Sequence, residues 1–168
     1  APAEEEAPEE ERTASDIGVT EDTIQIAVVV ADLQGLIDIG FPLPAALSTE
    51  HLAERFTNYF DRWNAEGGIN GRMIEGVTIG WDPLNPASME QSCTEAVLDN
   101  EVFMAINASG FSQAFIPCFT EDNDTTFFYG EVASQAMIDA APKAGQYYRF
   151  RVPITASADQ GKNWADTH

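Results

Sequence analysis

The chain has 168 residues, 44% of them hydrophobic, and a formal net charge of −20. That length suffices for one domain with a sizeable core, or for one lobe of something larger. So acidic a chain lacks the basic face that nucleic acid or an anionic membrane requires, and it has no apolar run of 18 residues to span a bilayer.

The charge is partly local. Residues 1–22 hold nine acids against Arg12, and the other 19 acids and 7 bases leave −12 on the body. The opening APAEEEAPEEE has no large side chain to bury and repels itself, so residues 1–16 are expected to form a disordered acidic tether. It has neither the basic start nor the apolar segment of a signal peptide. Such a tether suits the front of an exported protein whose signal has been removed, and it also suits a plain charged tail.

Thr23 to Ala31 (TIQIAVVVA) is a near-continuous β-branched and apolar run of strand length, the pattern of a strand buried on both faces. A loop with Gly35, Gly40, Pro42 and Pro44 follows. From Leu47 to Trp63, apolar side chains at Leu52, Phe56, Tyr59, Phe60 and Trp63 recur at helical spacing and predict one helix face. Gly67-Gly68 ends that helix, Asn70-Gly71 turns the chain, and Arg72 is expected to pair with a local acid or carbonyl. Met73 to Trp81 is the second strand. Asn85 caps the next helix with Pro86 at its first position, and Met89, Cys93, Ala96 and Val97 share a face. A third strand is predicted over Val102–Asn107 and a third helix over about Phe111–Phe119. Thr125–Tyr129 and Tyr147–Val152 are the fourth and fifth strands. Residues 154–168 resemble a loop and a helix start that stops without a cap. Strands and helices alternating at roughly 25-residue spacing specify an α/β domain over residues 17–152: a Rossmann-like three-layer sandwich with a parallel sheet.

Cys93 and Cys118 are 25 residues apart, not at C-x-x-C spacing, and with only His51 and His168 beside them they make a poor metal set. Two readings stay open: two buried thiols, or one bridge contributing about 3–4 kcal/mol in the chain-entropy model. The cysteines fall on the second predicted helix and at the end of the third. Consecutive crossover helices can lie side by side, so a bridge is feasible.

No nucleophile motif, Walker loop, dinucleotide fingerprint or H-E-x-x-H pair is present, so neither enzyme chemistry nor a cofactor or metal is expected. His51 reads as a surface residue, and Glu121–Asp124 as a solvated loop lacking the glycine and distal glutamate of a calcium hand. In an open parallel sheet, ligands sit beyond the strand C-termini. Three segments lie there: Asp32-Leu33-Gln34-Gly35, Ala108-Ser109-Gly110-Phe111-Ser112-Gln113, and Gly130-Glu131-Val132-Ala133-Ser134. The middle one offers the Ser109 and Ser112 hydroxyls, close backbone approach at Gly110, an apolar wall in Phe111, and helix-start N–H groups for an anion. An ordinary capped strand-to-helix turn is the alternative.

Several segments in order resemble the type I periplasmic binding proteins of the leucine/isoleucine/valine-binding family, the solute receptors of ABC importers. IGVTEDTIQIAVVVADLQG is similar to the family's G-V-T-x-x-T-I-x-I-G opening. YFDRWNAEGGINGRMIEGV resembles its Y-x-x-x-x-N-x-x-G-G-I-N-G-R-x-I signature. DPLNPASMEQSCTEAVLDNEVFMAI and YYRFRVPITASADQG resemble the following helix and strand and the crossover to a second lobe. The resemblance covers about residues 17–162. It implies the N-terminal lobe of a two-lobed clamshell that traps a small polar solute by hinge closure, with residues 153–168 leading to an absent C-terminal lobe. It further implies solute contacts at Ser109, Gly110, Phe111, Ser112 and Gln113, at Gly130 and Glu131, and at Leu33. It supports a Cys93–Cys118 bridge, since some members join the same two helices. A membrane permease is the implied partner. The implied location is periplasmic or extracytoplasmic, with the signal removed and a lipoprotein tether as one form. Asp32-Leu33-Gln34-Gly35 replaces the usual Thr-Gly-Pro loop, so the solute need not be a branched-chain amino acid, and half a site is expected to bind weakly or not at all. The alternative reading is the ligand-sensing lobe of a receptor or regulator with the same fold.

Overall fold

A computed structural model describes residues 12–109, 115–129 and 147–149. Five parallel strands form one sheet: β1 (Thr23–Ala31), β2 (Met73–Trp81), β3 (Met104–Asn107), β4 (Thr126–Tyr129) and β5 (Tyr147–Arg149), in the order β2-β1-β3-β4-β5. β1 pairs with β2 along its whole length, from Thr23 opposite Met73 to Ala31 opposite Trp81. On its other edge, Ile26 to Val29 face Met104 to Asn107. The helices are α1 (Gln34–Asp38), α2 (Thr49–Ala65), α3 (Ala87–Thr94) and α4 (Phe115–Pro117). A 3₁₀ turn, Ala45–Leu47, precedes α2, while α3 and α4 run on as π-helical segments, Glu95–Asp99 and Cys118–Asp122.

Period-2 alternation splits β1 between two cores. Ala27, Val29 and Ala31 join Ile79, Trp81, Cys93, Ala96, Phe115, Phe119 and Phe127 on the α3/α4 side. Ile24, Ile26, Val28 and Val30 join Leu52, Phe60 and Ile74 under α2. The three-layer sandwich expected from the strand and helix spacing is therefore present. Phe119 stacks on Phe127 with ring centroids 4.8 Å apart, and Trp81 meets Phe115 edge-on at 5.6 Å. α3 is pinned to the end of β2 by Ser92 Oγ donating to the Gly80 carbonyl and by Asp82 N–H donating to Ser88 Oγ.

The glycine-rich stretch after α2 is scaffold, as expected. Gly67, Gly68, Asn70 and Gly71 all have positive φ. Gly68 N–H closes the helix onto the Trp63 carbonyl, and Ile69 and Arg72 exchange backbone hydrogen bonds across the Asn-Gly turn. The Asn64 side chain behaves as an extra strand residue: its amide donates to Ile74 O at 2.9 Å and its carbonyl accepts from Ile74 N at 2.7 Å. Arg72 donates to the carbonyls of Thr20 and Thr13, and Arg12 donates to Gly71 O. Residues 12–20 thus lie against this turn. Residues 1–11 of the expected tether fall outside the described residues, as do the segment 153–168 and residues 150–152 of the fifth strand.

Several expectations shift. α2 begins at Thr49, not Leu47, because Ser48 caps it by accepting from His51 N–H, and the exposed His51 ring returns a contact to the Ser48 hydroxyl. Its apolar stripe is only half covered: Leu52 and Phe60 are buried, whereas Tyr59 and Trp63 stay about half exposed beside the edge strand β2. β3 starts at Met104 and not Val102, whose N–H instead closes the π-helical turn onto the Ala96 carbonyl. α4 is described only from Phe115; residues 111–114 of the predicted helix lie outside the described residues. Asn85 accepts from Ala87 N–H and Pro86 holds helical angles, as its cap role requires.

Cys93 and Cys118 form a disulfide that joins α3 to the π-helical end of α4 across a Cα separation of 6.5 Å. Its 25-residue loop sets the expected loss on opening it. Cys93→Ser/Cys118→Ser should lower unfolding free energy by about 3–4 kcal/mol in urea titrations, and reductant should leave that variant's midpoint unmoved. A midpoint equal to wild type would show that the bridge contributes nothing. The two glycines should also separate: a Cβ at Gly68 would strike the Arg72 carbonyl, while one at Gly67 meets nothing within 4 Å. Gly67→Ala should cost about 1–2 kcal/mol of left-handed strain, and Gly68→Ala clearly more.

Candidate ligand-binding site

In the order β2-β1-β3-β4-β5 the chain reverses direction of travel between β1 and β3, and the crevice beyond their C-terminal ends is where doubly wound sheets hold ligands. Ser109 sits at that point. Its hydroxyl oxygen accepts the Ala31 N–H from β1 at 2.5 Å, its own N–H donates to Asn107 Oδ1 at 3.3 Å, and Ala108 N–H donates to Val29 O at 3.0 Å. Asn107 is 9% exposed, so the strand-end amide is a buried brace for the turn. A hydroxyl that accepts one bond keeps its own proton to donate, and that proton is what a carboxylate oxygen would take.

Leu33 lies two residues beyond Ala31. It precedes α1 and packs against the α3/α4-side core, while its carbonyl accepts from Leu36 and Ile37. Asp32 Oδ1 accepts from Gln34 N–H, and Asp32 N–H donates to Trp81 O, which ties the β1 and β2 ends together. The structure therefore brings Ser109 and Leu33 to one end of the sheet. Gly110, Phe111, Ser112, Gln113, Gly130 and Glu131 lie outside the described residues.

Two further residues belong to this end and escaped sequence reasoning. Among the described residues, the buried side-chain polar atoms without a partner are Trp81 Nε1 and Thr49 Oγ1. Trp81 closes β2 at its C-terminal end. Thr49 opens α2, which returns alongside β1, so its first residue reaches the same end. Native structures rarely orphan a buried polar group, which sets these two atoms apart from the rest of the described residues. Sequence reasoning placed Trp81 at the end of the second strand, and nothing in sequence signals a missing acceptor. The same end carries a cavity of about 200 Å³ lined by residues of the β1 end, α1 and the α2 start. No group of three or more His, Cys, Asp or Glu side chains able to hold a metal occurs among the described residues.

No protein-family model matches the chain, and no curated protein matches it in sequence. Solved structures do match in fold. The branched-chain amino acid transporter substrate binding protein LivJ from Streptococcus pneumoniae, in complex with isoleucine, aligns with a TM-score of 0.56 at 17% identity, over 79% of this chain and 34% of that one. An ABC transporter substrate-binding protein from Desulfitobacterium hafniense, in complex with Leu, aligns at 0.51 and 18% identity, over 79% and 35%. A solute binding protein of an ABC transporter from Rhodopseudomonas palustris, in complex with 3,4-dihydroxy benzoic acid, gives 0.52 and 10% identity, over 76% and 31%. The chain spans about a third of the length of these proteins.

The Ser109 bond makes a stability prediction independent of any ligand. Ser109→Ala strands the fully buried Ala31 N–H, and should cost about 1–3 kcal/mol in thermal or urea unfolding. Ser109→Cys or Ser109→Thr, which keep an acceptor, should recover part of it.

Proposed function

We propose that this chain, which has the α/β fold of the type I periplasmic binding proteins, forms one wall of an extracytoplasmic receptor that captures a small polar solute for an ABC importer. The solute is an amino acid or a related amide or carboxylate, closed between this lobe and a second one. The observation that carries this reading is Ser109: a hydroxyl fixed to Ala31 at the switch point between β1 and β3, with its donor proton available to the solute. Isoleucine, leucine and 3,4-dihydroxybenzoic acid, the ligands of three proteins with this fold, all carry a carboxylate.

In this reading Ser109 and the backbone of Gly110 to Gln113 hold the carboxylate, and Leu33, Gly130 and Glu131 are further solute contacts. The partners are the solute, a second lobe of the same protein and the importer's membrane permease. A disulfide between two crossover helices fits an oxidising compartment outside the cytoplasm, and the acidic body argues against nucleic acid.

One wall supplies part of the binding free energy. A millimolar solute corresponds to about −4 kcal/mol and a micromolar one to about −8 kcal/mol, and closure against a second lobe is the source of the difference. Isothermal titration of the 168-residue chain with amino acids, amides and short carboxylates should give millimolar dissociation constants, weakened by Ser109→Ala. Micromolar binding by this chain alone would contradict the two-wall account, and the absence of any binding at tens of millimolar would contradict solute capture.

A further inference from the structure

We propose that Asn70 is a site of spontaneous covalent modification. Its side chain closes onto the Gly71 nitrogen, loses ammonia and leaves an aspartyl or isoaspartyl residue in the turn before β2. Solute capture is not involved, since this turn lies at the end of the sheet opposite Ser109.

The step is an intramolecular acyl transfer. The Gly71 backbone nitrogen attacks the Asn70 side-chain amide carbon and a new C–N bond forms. The bond from that carbon to the side-chain NH₂ breaks, and ammonia departs with the Gly71 N–H proton. Water then opens the five-membered imide. Attack at the former side-chain carbonyl gives aspartate. Attack at the main-chain carbonyl gives isoaspartate, whose backbone runs through the side chain. The reaction needs a side-chain amide without a partner, a following N–H that no carbonyl holds, and a following residue that does not crowd the approach.

Among the described residues Asn70 alone meets all three conditions. Asn70 and Gly71 are exposed, and neither the Asn70 side chain nor the Gly71 N–H makes a hydrogen bond. Glycine has no Cβ to hinder attack by its nitrogen. Each of the other asparagines fails. Asn64 is tied through both ends of its amide to Ile74, and Asn100 and Asn123 donate to the carbonyls of Glu95 and Cys118. Asn85 precedes Pro86, which has no N–H. Asn107 precedes Ala108, whose N–H is held by Val29 O. Asn58 lies inside α2, where the next N–H belongs to the helical ladder.

Backbone geometry sets when the reaction occurs and what it does. Asn70 and Gly71 have φ of 50° and 76°, the left-handed pair of a two-residue hairpin turn. Ile69 and Arg72 exchange the backbone hydrogen bonds that close it. Ring closure swings the Asn70 carbonyl out of that turn, so modification follows local opening of an exposed tip. Isoaspartate then adds a main-chain carbon between Ile69 and Arg72, and the two bonds can no longer both re-form. Arg72 and Gly71 also hold residues 12–20, through the Thr13 and Thr20 carbonyls and the Arg12 side chain. The isoaspartyl form therefore loosens the whole junction, whereas the aspartyl form keeps its backbone.

The test is to incubate the 168-residue chain at mildly alkaline pH in heavy-oxygen water and digest it with trypsin. Cleavage after Arg62 and Arg72 yields Trp63–Arg72, which carries Asn64 as an internal control. Fragment ions should place heavy-oxygen uptake at Asn70, about tenfold or more ahead of Asn64 and the other described asparagines, and Gly71→Ala should slow it by about the same factor. A urea-unfolded sample should convert faster than the folded chain. Earlier conversion at another described asparagine, a rate indifferent to Gly71→Ala, or an unmodified Asn70 once the unfolded sample has fully converted would overturn the assignment. Asn70→Asp adds the charge without the extra carbon and should unfold in urea at the wild-type midpoint, with the isolated isoaspartyl form below it. Equal midpoints for those two would overturn the loosening of the junction.

Discussion

The fold depends on one strand being buried on both faces. β1 is hydrogen-bonded to β2 along one edge and to β3 along the other, and its alternate side chains enter two separate cores. Val28, Val29 and Val30 are at most 1% exposed, which only a central parallel strand allows. β1 therefore fixes the position of α2 on one side and of α3 and α4 on the other. Its last residue, Ala31, then supplies the N–H that locates Ser109. The central strand and the candidate site are joined by that hydrogen bond and by the Ala108 N–H to Val29 O bond beside it.

The chain divides its labour between the two ends of the sheet. At the strand N-termini, Asn64, Arg72 and the positive-φ residues Gly67, Gly68, Asn70 and Gly71 clamp α2, β2 and residues 12–20 together. Almost every polar group in that junction is spent on backbone, which leaves little for a ligand. At the strand C-termini the pattern reverses: two buried polar atoms lack partners, apolar side chains remain exposed, and a cavity opens. The disulfide lies on the α3/α4 side and anchors the helix that follows the turn at Ser109. It thus restrains the chain leaving the site, and also closes the core in which Phe115, Phe119 and Phe127 pack.

Much of this was legible in the residues, and the failures have physical causes. The bounds of β1 match the expectation because an uninterrupted β-branched run has one low-energy use, a doubly buried strand, and those of β2 match because the Asn-Gly turn before it and the Asp82-Pro83 break after it delimit the run. The role of the glycine-rich stretch was legible because helix-ending glycines and Asn-Gly turns are dictated by φ. Tyr59 and Trp63 were not readable as exposed: periodicity gives the width of an apolar stripe but not what covers it. α1 and the 3₁₀ turn are too short to carry a period, and the π-helical extensions of α3 and α4 add a residue per turn without disturbing the apolar spacing. For the site, the parallel-sheet rule indicates the C-terminal end of the strands, the end at which Ser109 and Leu33 lie. The Ser109–Ala31 bond spans 78 residues and the Thr49 orphan is defined by an absence, so neither leaves a trace in local sequence.

The central claim is that solute binds at the C-terminal ends of β1 and β3. Mapping backbone amide shifts by NMR, while leucine or acetate is titrated to tens of millimolar, tests it most directly. The account predicts that the amides of Ala31 to Leu33 and Asn107 to Ser109 move saturably and together, with those of Asn64 to Met73 at the opposite end unmoved. Shifts centred on the glycine-rich junction, or scattered over the acidic surface without saturation, would contradict it.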